Sequence, residues 1–239
     1  MRLAWIIALL VWAGGAWAHK GATICIDPGH PSEVGPGTRG KKITEMRAVW
    51  LVGQKLERRL KARGIKVVMT KSSEKEKVTN RRRAEIANQA QADLMIRLHC
   101  DAQSGRGFAT YYPDRAGRAQ GRTGPSPEVL RQSKLAATAF HSEAARVLRG
   151  HLPVLGLYTD RRTKIGAQQG ALTGSIFSEV PVLLVELVVL THPQDEAFIL
   201  TDAGQEKLAE ALEMGILKAL AAVRAAPPAK RPKSPAARE

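Results

Sequence analysis

The sequence predicts an α/β fold: a single domain with a mixed, mostly parallel β-sheet that is flanked by helices on both faces. Short apolar runs rich in β-branched residues alternate with segments of helical periodicity, which is the order of strands and helices in parallel sheets. One run, residues 180–190, is apolar almost throughout and is typical of a buried central strand. We expect the domain to span residues 21–223, which is long enough for one core and short for two.

The first half of the chain alternates between predicted strands and predicted helices. The strands are residues 22–26, 65–70 and 92–98, and the helices are residues 44–63 and 81–91. Asp27-Pro28-Gly29 ends the first strand as a turn. His30 and His99 therefore follow the carboxyl ends of two strands, and Glu45 lies in the first turn of a helix.

The second half is predicted to contain a strand, a polar loop, a long helix, the central strand and a final helix. These are residues 108–112, 113–127, 128–149, 180–190 and 202–220. Asp202 and Gln205 form a start signal of the capping-box type for the last helix. Residues 224–239 consist largely of Pro, Ala, Lys and Arg without an apolar pattern, so we predict a disordered basic tail there.

Residues 1–18 have the order of a secretory signal peptide. Arg2 is followed by the apolar stretch 3–12 and by Ala16-Trp17-Ala18, a small-x-small cleavage site. The apolar stretch is shorter than the roughly 20 residues that a membrane-spanning helix needs. We therefore expect an exported protein whose mature form starts at His19 and that resides in the periplasm or in the extracellular cell wall.

The formal net charge of the chain is +15. A charge of this size favours polyanionic surroundings such as wall polymers, anionic lipid surfaces or nucleic acid. For an exported chain we expect contact with an anionic wall polymer or a membrane surface through the basic tail, and no nucleic-acid partner. We expect the protein to be a monomer.

His30, Glu45 and His99 are candidate ligands for one Zn²⁺ ion per chain. Two histidines and one carboxylate leave a tetrahedral zinc ion with one open position, which is the arrangement of a catalytic site. Taken singly, each residue has an ordinary explanation, as a loop histidine, a first-turn glutamate and a core histidine. Their common placement favours a joint site, because ligands gather at the carboxyl ends of parallel strands.

Two further carboxylates are candidate site residues. Glu186 interrupts the apolar run 180–190, where a carboxylate is costly unless it has a function or an ion-pair partner. We interpret it as a catalytic acid and base, with a buried ion pair to an arginine as the alternative. Asp27 either orients His30 or closes the turn after the first strand.

Cys25 and Cys100 are the two cysteines of the chain. Each lies beside a candidate metal ligand on strands that we expect to be neighbours, and export makes a disulfide chemically possible. Two buried free thiols explain the same sequence equally well.

Five blocks of sequence resemble the zinc-dependent N-acetylmuramoyl-L-alanine amidases of the family-3 type. In order, they are Ile26-Asp27-Pro28-Gly29-His30, Glu45 at a helix start, Arg83-Ala84-Glu85-Ile86-Ala87-Asn88, Leu98-His99-Cys100-Asp101-Ala102 and Pro181-Val182-Leu183-Leu184-Val185-Glu186. The resemblance implies zinc on His30, Glu45 and His99, with Glu186 as the catalytic glutamate. It also implies cleavage of the peptidoglycan amide between the muramic acid lactyl group and L-alanine. The alternatives are a zinc peptidase that cuts within the stem peptide and a non-catalytic cell-wall-binding protein.

The chain departs from the family pattern at the rim of the expected site. Pro31-Ser32-Glu33 follows the first histidine in place of the usual glycines, and Arg97 stands where a small hydroxyl residue is common. After Glu186 the chain has Val188, Val189 and His192 in place of the Gly, Phe and later Asn of the family. These departures concern substrate preference more than metal binding.

Overall fold

A six-stranded mixed sheet forms the centre of the computed structural model, which describes residues 21–227. The predicted signal peptide and residues 228–239 of the predicted tail lie outside the described residues. The strand order is β2-β1-β3-β8-β4-β7. The strands are β1 Thr23–Pro28, β2 Lys66–Met69, β3 Leu94–Asp101, β4 Phe108–Tyr112, β7 Val154–Thr159 and β8 Val182–Val189.

The strand directions confirm the predicted mixed, mostly parallel sheet. β2, β1, β3 and β8 are parallel neighbours, and β8 is the point at which the direction changes. β4 runs antiparallel to β8, and β7 runs parallel to β4. The carboxyl ends of β1, β3 and β8 therefore meet at one edge of the sheet, where an α/β protein usually binds its ligand.

Helices cover both faces of the sheet. They are α1 Glu45–Ala62, α2 Asn80–Gln89, α3 Pro127–Leu148, α4 Lys164–Gln169, α5 Thr173–Ile176, α6 Pro193–Leu200 and α7 Asp202–Ala225. Ile24 and Ile26 belong to the main core together with side chains of α1, α3 and α7. Cys25 and Met95 belong to a second cluster with Ala87 of α2, because alternate strand residues point to opposite faces. None of the described helices is long and apolar enough to cross a membrane.

The last helix differs slightly from its prediction at both ends. Thr201 is the N-cap residue and accepts a hydrogen bond from the Gly204 N–H, whereas the sequence pattern had assigned the start signal to Asp202. The helix ends at Ala225, so the predicted tail begins two residues too early.

Several elements escaped prediction. Within the predicted polar loop 113–127 the chain forms a hairpin of β5 Gly117–Ala119 and β6 Arg122–Gly124. Between α3 and β8 it forms β7, a short 3-10 turn at Asp160–Arg162, α4 and α5. α4 and α5 pack beside this hairpin and contribute to the cleft described below.

Both cysteines are buried free thiols, which corrects the disulfide alternative. Cys25 pairs in register with Met95, so Cys100 lies five residues further along β3, about 16 Å away at roughly 3.3 Å per residue. The two side chains also belong to clusters on opposite faces of the sheet. A disulfide requires Cα atoms within about 7 Å of each other. Burial raises the pKa of both thiols, which keeps them protonated.

Candidate active site

The structure brings the three predicted ligands together at the carboxyl edge of the sheet. His30 follows β1, Glu45 is the first residue of α1, and His99 lies within β3, which continues to Asp101. One possible ligand atom from each of the three residues lies within 4.8 Å of the others. Residues distant in sequence thus form one cluster because parallel strands end at the same edge.

Glu45 is the centre of this cluster. Its Oε1 atom lies 3.0 Å from His99 Nδ1 and 3.4 Å from His30 Nε2. The Cys100 N–H donates to Oε1 at 3.1 Å, and the Thr38 N–H donates to Oε2 at 2.7 Å. Burial opposes ionisation of Glu45, but the hydrogen bond and charge of His99, the charge of His30 and the Thr38 N–H together lower its pKa. Glu45 is therefore held as a carboxylate.

The ring of His30 is oriented by the loop that follows it. Nδ1 lies 2.9 Å from the Gly35 carbonyl oxygen, and because a carbonyl only accepts, Nδ1 carries the proton. In the neutral tautomer the lone pair is then on Nε2, the nitrogen that faces Glu45. A hydrogen bond from the other ring nitrogen is the usual way to orient a metal-binding histidine.

The donor set fits a zinc ion. Imidazole nitrogen and carboxylate oxygen are ligands that Zn²⁺ binds readily. Burial lowers the pKa of His99, which favours the neutral imidazole that a metal requires. His99 Nε2 is buried without a hydrogen-bond partner, so protein groups alone do not satisfy this ring.

Glu186 lies directly opposite His99 in the register between β8 and β3. The residue is partly exposed, but its Oε2 atom is inaccessible and has no hydrogen-bond partner. Burial raises the pKa of Glu186 well above its usual value, and the negative charges of Glu45 and Asp101 raise it further. Among the described residues Glu186 forms no ion pair, since Arg97 of the same cleft pairs with Asp27. The buried ion-pair interpretation is therefore wrong.

Asp27 does not contact the His30 ring but holds the loop around it. Its carboxylate accepts hydrogen bonds from Thr70 Oγ1 at 2.6 Å, Arg83 Nη1 at 2.5 Å and Arg97 Nε at 2.9 Å. Arg83 in turn donates to the carbonyls of Pro28 and Pro31, which flank His30. The predicted direct orientation of His30 by Asp27 is replaced by an indirect one through Arg83.

A second cation reaches the same loop. Lys71 Nζ donates to the backbone carbonyl of His30 and, at 2.9 Å, to that of Glu74. Burial and the charge of Arg83 lower the pKa of Lys71 to about 8. The backbone of His30 is thus fixed from both sides by buried cationic side chains.

Replacing Asp27 by Asn is expected to lower the free energy of unfolding by roughly 3 kcal/mol or more, because it leaves two buried guanidinium groups without their carboxylate. Urea denaturation at pH 7 measures this loss. The exposed pair of Asp114 and Arg161 provides the control, and Asp114→Asn should cost less than about 1 kcal/mol.

The same carboxylate gives the wild type an acid-sensitive stability. Burial raises the pKa of Asp27, but Arg83, Arg97 and Thr70 outweigh it and hold the pKa below its usual range. The Asp27 carboxylate therefore stabilises the folded state at pH values above about 3.9, the pKa of an aspartate in the unfolded chain. This contribution is lost as the pH falls below that value. The Asp27→Asn variant should lose less stability than the wild type over that window. Equal losses in both proteins would contradict the assignment.

His30, His99 and Glu186 line a cleft of about 200 Å³. Its rim carries two exposed apolar side chains, Val34 from the loop after β1 and Ile165 from α4, with exposed fractions of 64% and 38%. Leu172 and Leu184 line it further in. Sequence reasoning missed the α4 and α5 side of the cleft, because helices of six and four residues carry no readable periodicity.

His192 lies outside this cleft. It is the N-cap residue of α6, and its Nδ1 accepts a hydrogen bond from the Gln194 N–H. His192, which departs from the family pattern, therefore caps the start of α6.

Comparison with known proteins gives a family match over most of the chain. Residues 24–218 match the family model described as N-acetylmuramoyl-L-alanine amidase. The chain is 26% identical over 228 residues to an N-acetylmuramoyl-L-alanine amidase of Mycobacterium tuberculosis, and the match covers 84% of this chain and 87% of that protein.

Solved structures share the fold. The amidase AmiC2 of Nostoc punctiforme superposes with a TM-score of 0.67 at 21% identity, covering 84% of this chain and 97% of that one. The amidase Ami1 of Mycobacterium smegmatis superposes with a TM-score of 0.68 at 21% identity, covering 85% and 98%.

Proposed function

Because the chain belongs to the N-acetylmuramoyl-L-alanine amidase family, we propose that its peptidoglycan amidase activity depends on one zinc ion held by His30, Glu45 and His99. The bond cleaved is the amide between the muramic acid lactyl group and L-alanine of the stem peptide. The observation that carries the metal assignment is the clustering of three ligand atoms within 4.8 Å beside the unpartnered carboxyl of Glu186.

A bound zinc ion supplies a Lewis acid that polarises the scissile carbonyl and lowers the pKa of water. Glu186 supplies the proton transfer. Burial raises the pKa of Glu186, which makes its carboxylate a stronger base that can take a proton from the attacking water and deliver it to the departing amine. The products are the lactyl carboxylic acid and the free amino group of L-alanine, so one water molecule accounts for the new bonds.

Each remaining residue of the site has a positional role. Gly35 orients His30, and the backbone N–H groups of Thr38 and Cys100 orient Glu45. Asp27 and Arg83 fix the backbone on either side of His30. This preorganisation keeps the ligands in place without a contribution from the substrate.

Removing the metal is expected to abolish hydrolysis of purified sacculi. Dialysis against a chelator should eliminate product, Zn²⁺ should restore it, and Mg²⁺ should not, because Mg²⁺ prefers oxygen ligands in octahedral geometry. The chelated protein should also unfold at a lower temperature, since a ligand of the folded state stabilises it. Full activity after exhaustive chelation would contradict zinc dependence.

Mass spectrometry of the digested sacculi separates the amidase from a stem-peptide peptidase. Intact peptides with a free L-alanine amino group are expected. Shortened peptides that remain attached to muramic acid would indicate the peptidase, and absence of any product would indicate a wall-binding protein.

We also propose that residues 1–18 direct export and that the basic tail contacts anionic wall polymers or lipid surfaces. The segment order of the leader and the net charge of +15 support this. Because α7 continues to Ala225, a truncation that tests the tail should begin after that residue. Fractionation of cells that express the chain with or without residues 1–18 tests export. Binding of the full chain and of the truncated chain to sacculi in low salt tests the role of the tail.

A further inference from the structure

Arg97 is a buried cation in the wall of the cleft. It lies on β3 two residues before His99 and on the same face of the sheet, and 3% of its surface is exposed. It also lines the cleft that contains His30, His99 and Glu186. Arg97 is neither a proposed metal ligand nor part of the proposed proton transfer.

The guanidinium group of Arg97 is only partly satisfied by the protein. Nε donates to Asp27 Oδ2 at 2.9 Å, and Nη2 donates to Asn80 Oδ1 at 2.5 Å. Among residues 21–227, no group accepts a hydrogen bond from Nη1. Nη1 is not among the enclosed unpartnered atoms, so this donor can be reached from the cleft that Arg97 lines.

The ion pairing of Arg97 is also shared. Asp27 is shared between Arg97 and Arg83, so one carboxylate faces two guanidinium groups. Asp160 is buried nearby but forms no ion pair with Arg97, and its Oδ2 atom accepts the Leu172 N–H at 3.0 Å instead. Asp160 and Glu186 also act on Arg97 through charge, but burial raises the pKa of both carboxyl groups, and among the described residues Asp27 is the ion-pair partner of Arg97. A carboxylate ligand would therefore meet a guanidinium that shares its one paired carboxylate with Arg83.

Gly174 of α5 makes room for this guanidinium. A Cβ atom at Gly174 would lie 2.6 Å from Arg97 Nη1, which is closer than nonbonded atoms approach. Its neighbours Leu172 and Thr173 line the cleft. Arg97 is thus held in one position by Asp27, Asn80 and the backbone of α5, which is the preorganisation expected of a binding residue.

We propose that Arg97 binds a carboxylate of the substrate, the α-carboxylate of the stem-peptide residue that follows L-alanine. Guanidinium is the side-chain group best suited to a carboxylate. Arg97 precedes His99 by two strand residues, about 7 Å along β3. In an extended peptide, the second residue also lies about 7 Å from the scissile bond. The inference rests on the amidase activity and adds a specificity determinant to it.

Two synthetic N-acetylmuramoyl tetrapeptides test the proposal. In both, the second residue is joined to the third through its side-chain carboxyl group, and its free α-carboxyl group is either a carboxylate or a primary amide. The wild type should show a kcat/KM at least about tenfold higher for the α-carboxylate, mainly through KM. Arg97→Gln should abolish this preference, and Arg97→Lys should retain part of it. Arg118→Gln, which removes an exposed arginine outside the cleft, should leave it unchanged.

Equal kcat/KM values for the two tetrapeptides in the wild type would overturn the proposal, whether or not Arg97→Gln folds. An equal loss on both substrates in a folded Arg97→Gln variant would also overturn it, because it would indicate a structural role. A third tetrapeptide, whose C-terminal carboxylate is replaced by an amide, tests whether the terminal carboxylate is recognised instead. If the wild-type preference depended on that terminal group, the proposal would also be overturned. Failure of the wild type to digest sacculi would contradict the amidase activity itself, and that result is separate from the ratio of the two tetrapeptides.

Discussion

Replacing Glu186 by Gln is expected to lower kcat for amide hydrolysis by about 10²–10⁴-fold while leaving the metal bound. Glutamine keeps the size of the side chain but can neither take a proton from water nor deliver one to the leaving amine. The predicted ligands are His30, Glu45 and His99, so metal content should stay at one ion per chain. Steady-state kinetics on muropeptides and metal analysis of the same preparation measure both quantities.

The folded state should tolerate this substitution. Glu186 forms no ion pair among the described residues, and its Oε2 atom has no hydrogen-bond partner, so an uncharged amide breaks no salt bridge. The melting temperature should therefore stay close to that of the wild type. Glu179→Gln, the same change at an exposed site, is the matched control and should keep full activity. A Glu186→Gln variant with more than about a tenth of wild-type kcat would exclude the proton-transfer role.

The clustering of His30, Glu45 and His99 could be predicted because these residues follow local signals. His30 comes directly after a strand that ends in a Pro-Gly turn, and Glu45 opens a helix whose N-cap is Thr44. The carboxylate of Glu186 is conspicuous because every other residue of β8 is buried and apolar. Strand ends and helix starts are encoded over a few residues, so single-sequence reasoning reaches them.

The partners of Asp27 could not be predicted in the same way. Thr70, Arg83 and Arg97 are 43, 56 and 70 residues away in sequence, and their contacts exist only once the sheet has formed. The same holds for Arg97 and Gly174, whose fit depends on where α5 packs. The resemblance to the family marked Arg97 as a departure, but only the structure shows its unused donor.

Edge elements were missed for a different reason. β7 is an edge strand with one buried neighbour strand, and none of its residues is fully buried, so the apolar alternation that marks a strand is weak. It packs beside β4, which extends the sheet beyond the direction change at β8. The cleft wall built by α4 and α5 follows from this extension and was therefore absent from the predicted site.

Replacing Glu45 by Gln is expected to weaken zinc binding by at least about 100-fold, which is the upper range for residues that merely support a metal ligand. The amide loses the negative charge that balances the cation. It also turns an NH₂ group toward the backbone N–H of Thr38 or of Cys100, so that two donors face each other. Competition with a chromogenic chelator measures the zinc affinity, and activity should be lost at limiting zinc.

Metal content separates this variant from Glu186→Gln. Both should be inactive at limiting zinc, but only Glu45→Gln should be purified without its ion, and only its activity should rise as zinc is added. Glu57→Gln on the same helix α1, where the glutamate pairs with Lys61, controls for a general effect on the helix. Wild-type zinc affinity in Glu45→Gln would remove this residue from the ligand set. Two histidines alone would then have to hold the ion, and the open coordination that makes the site catalytic would need another explanation.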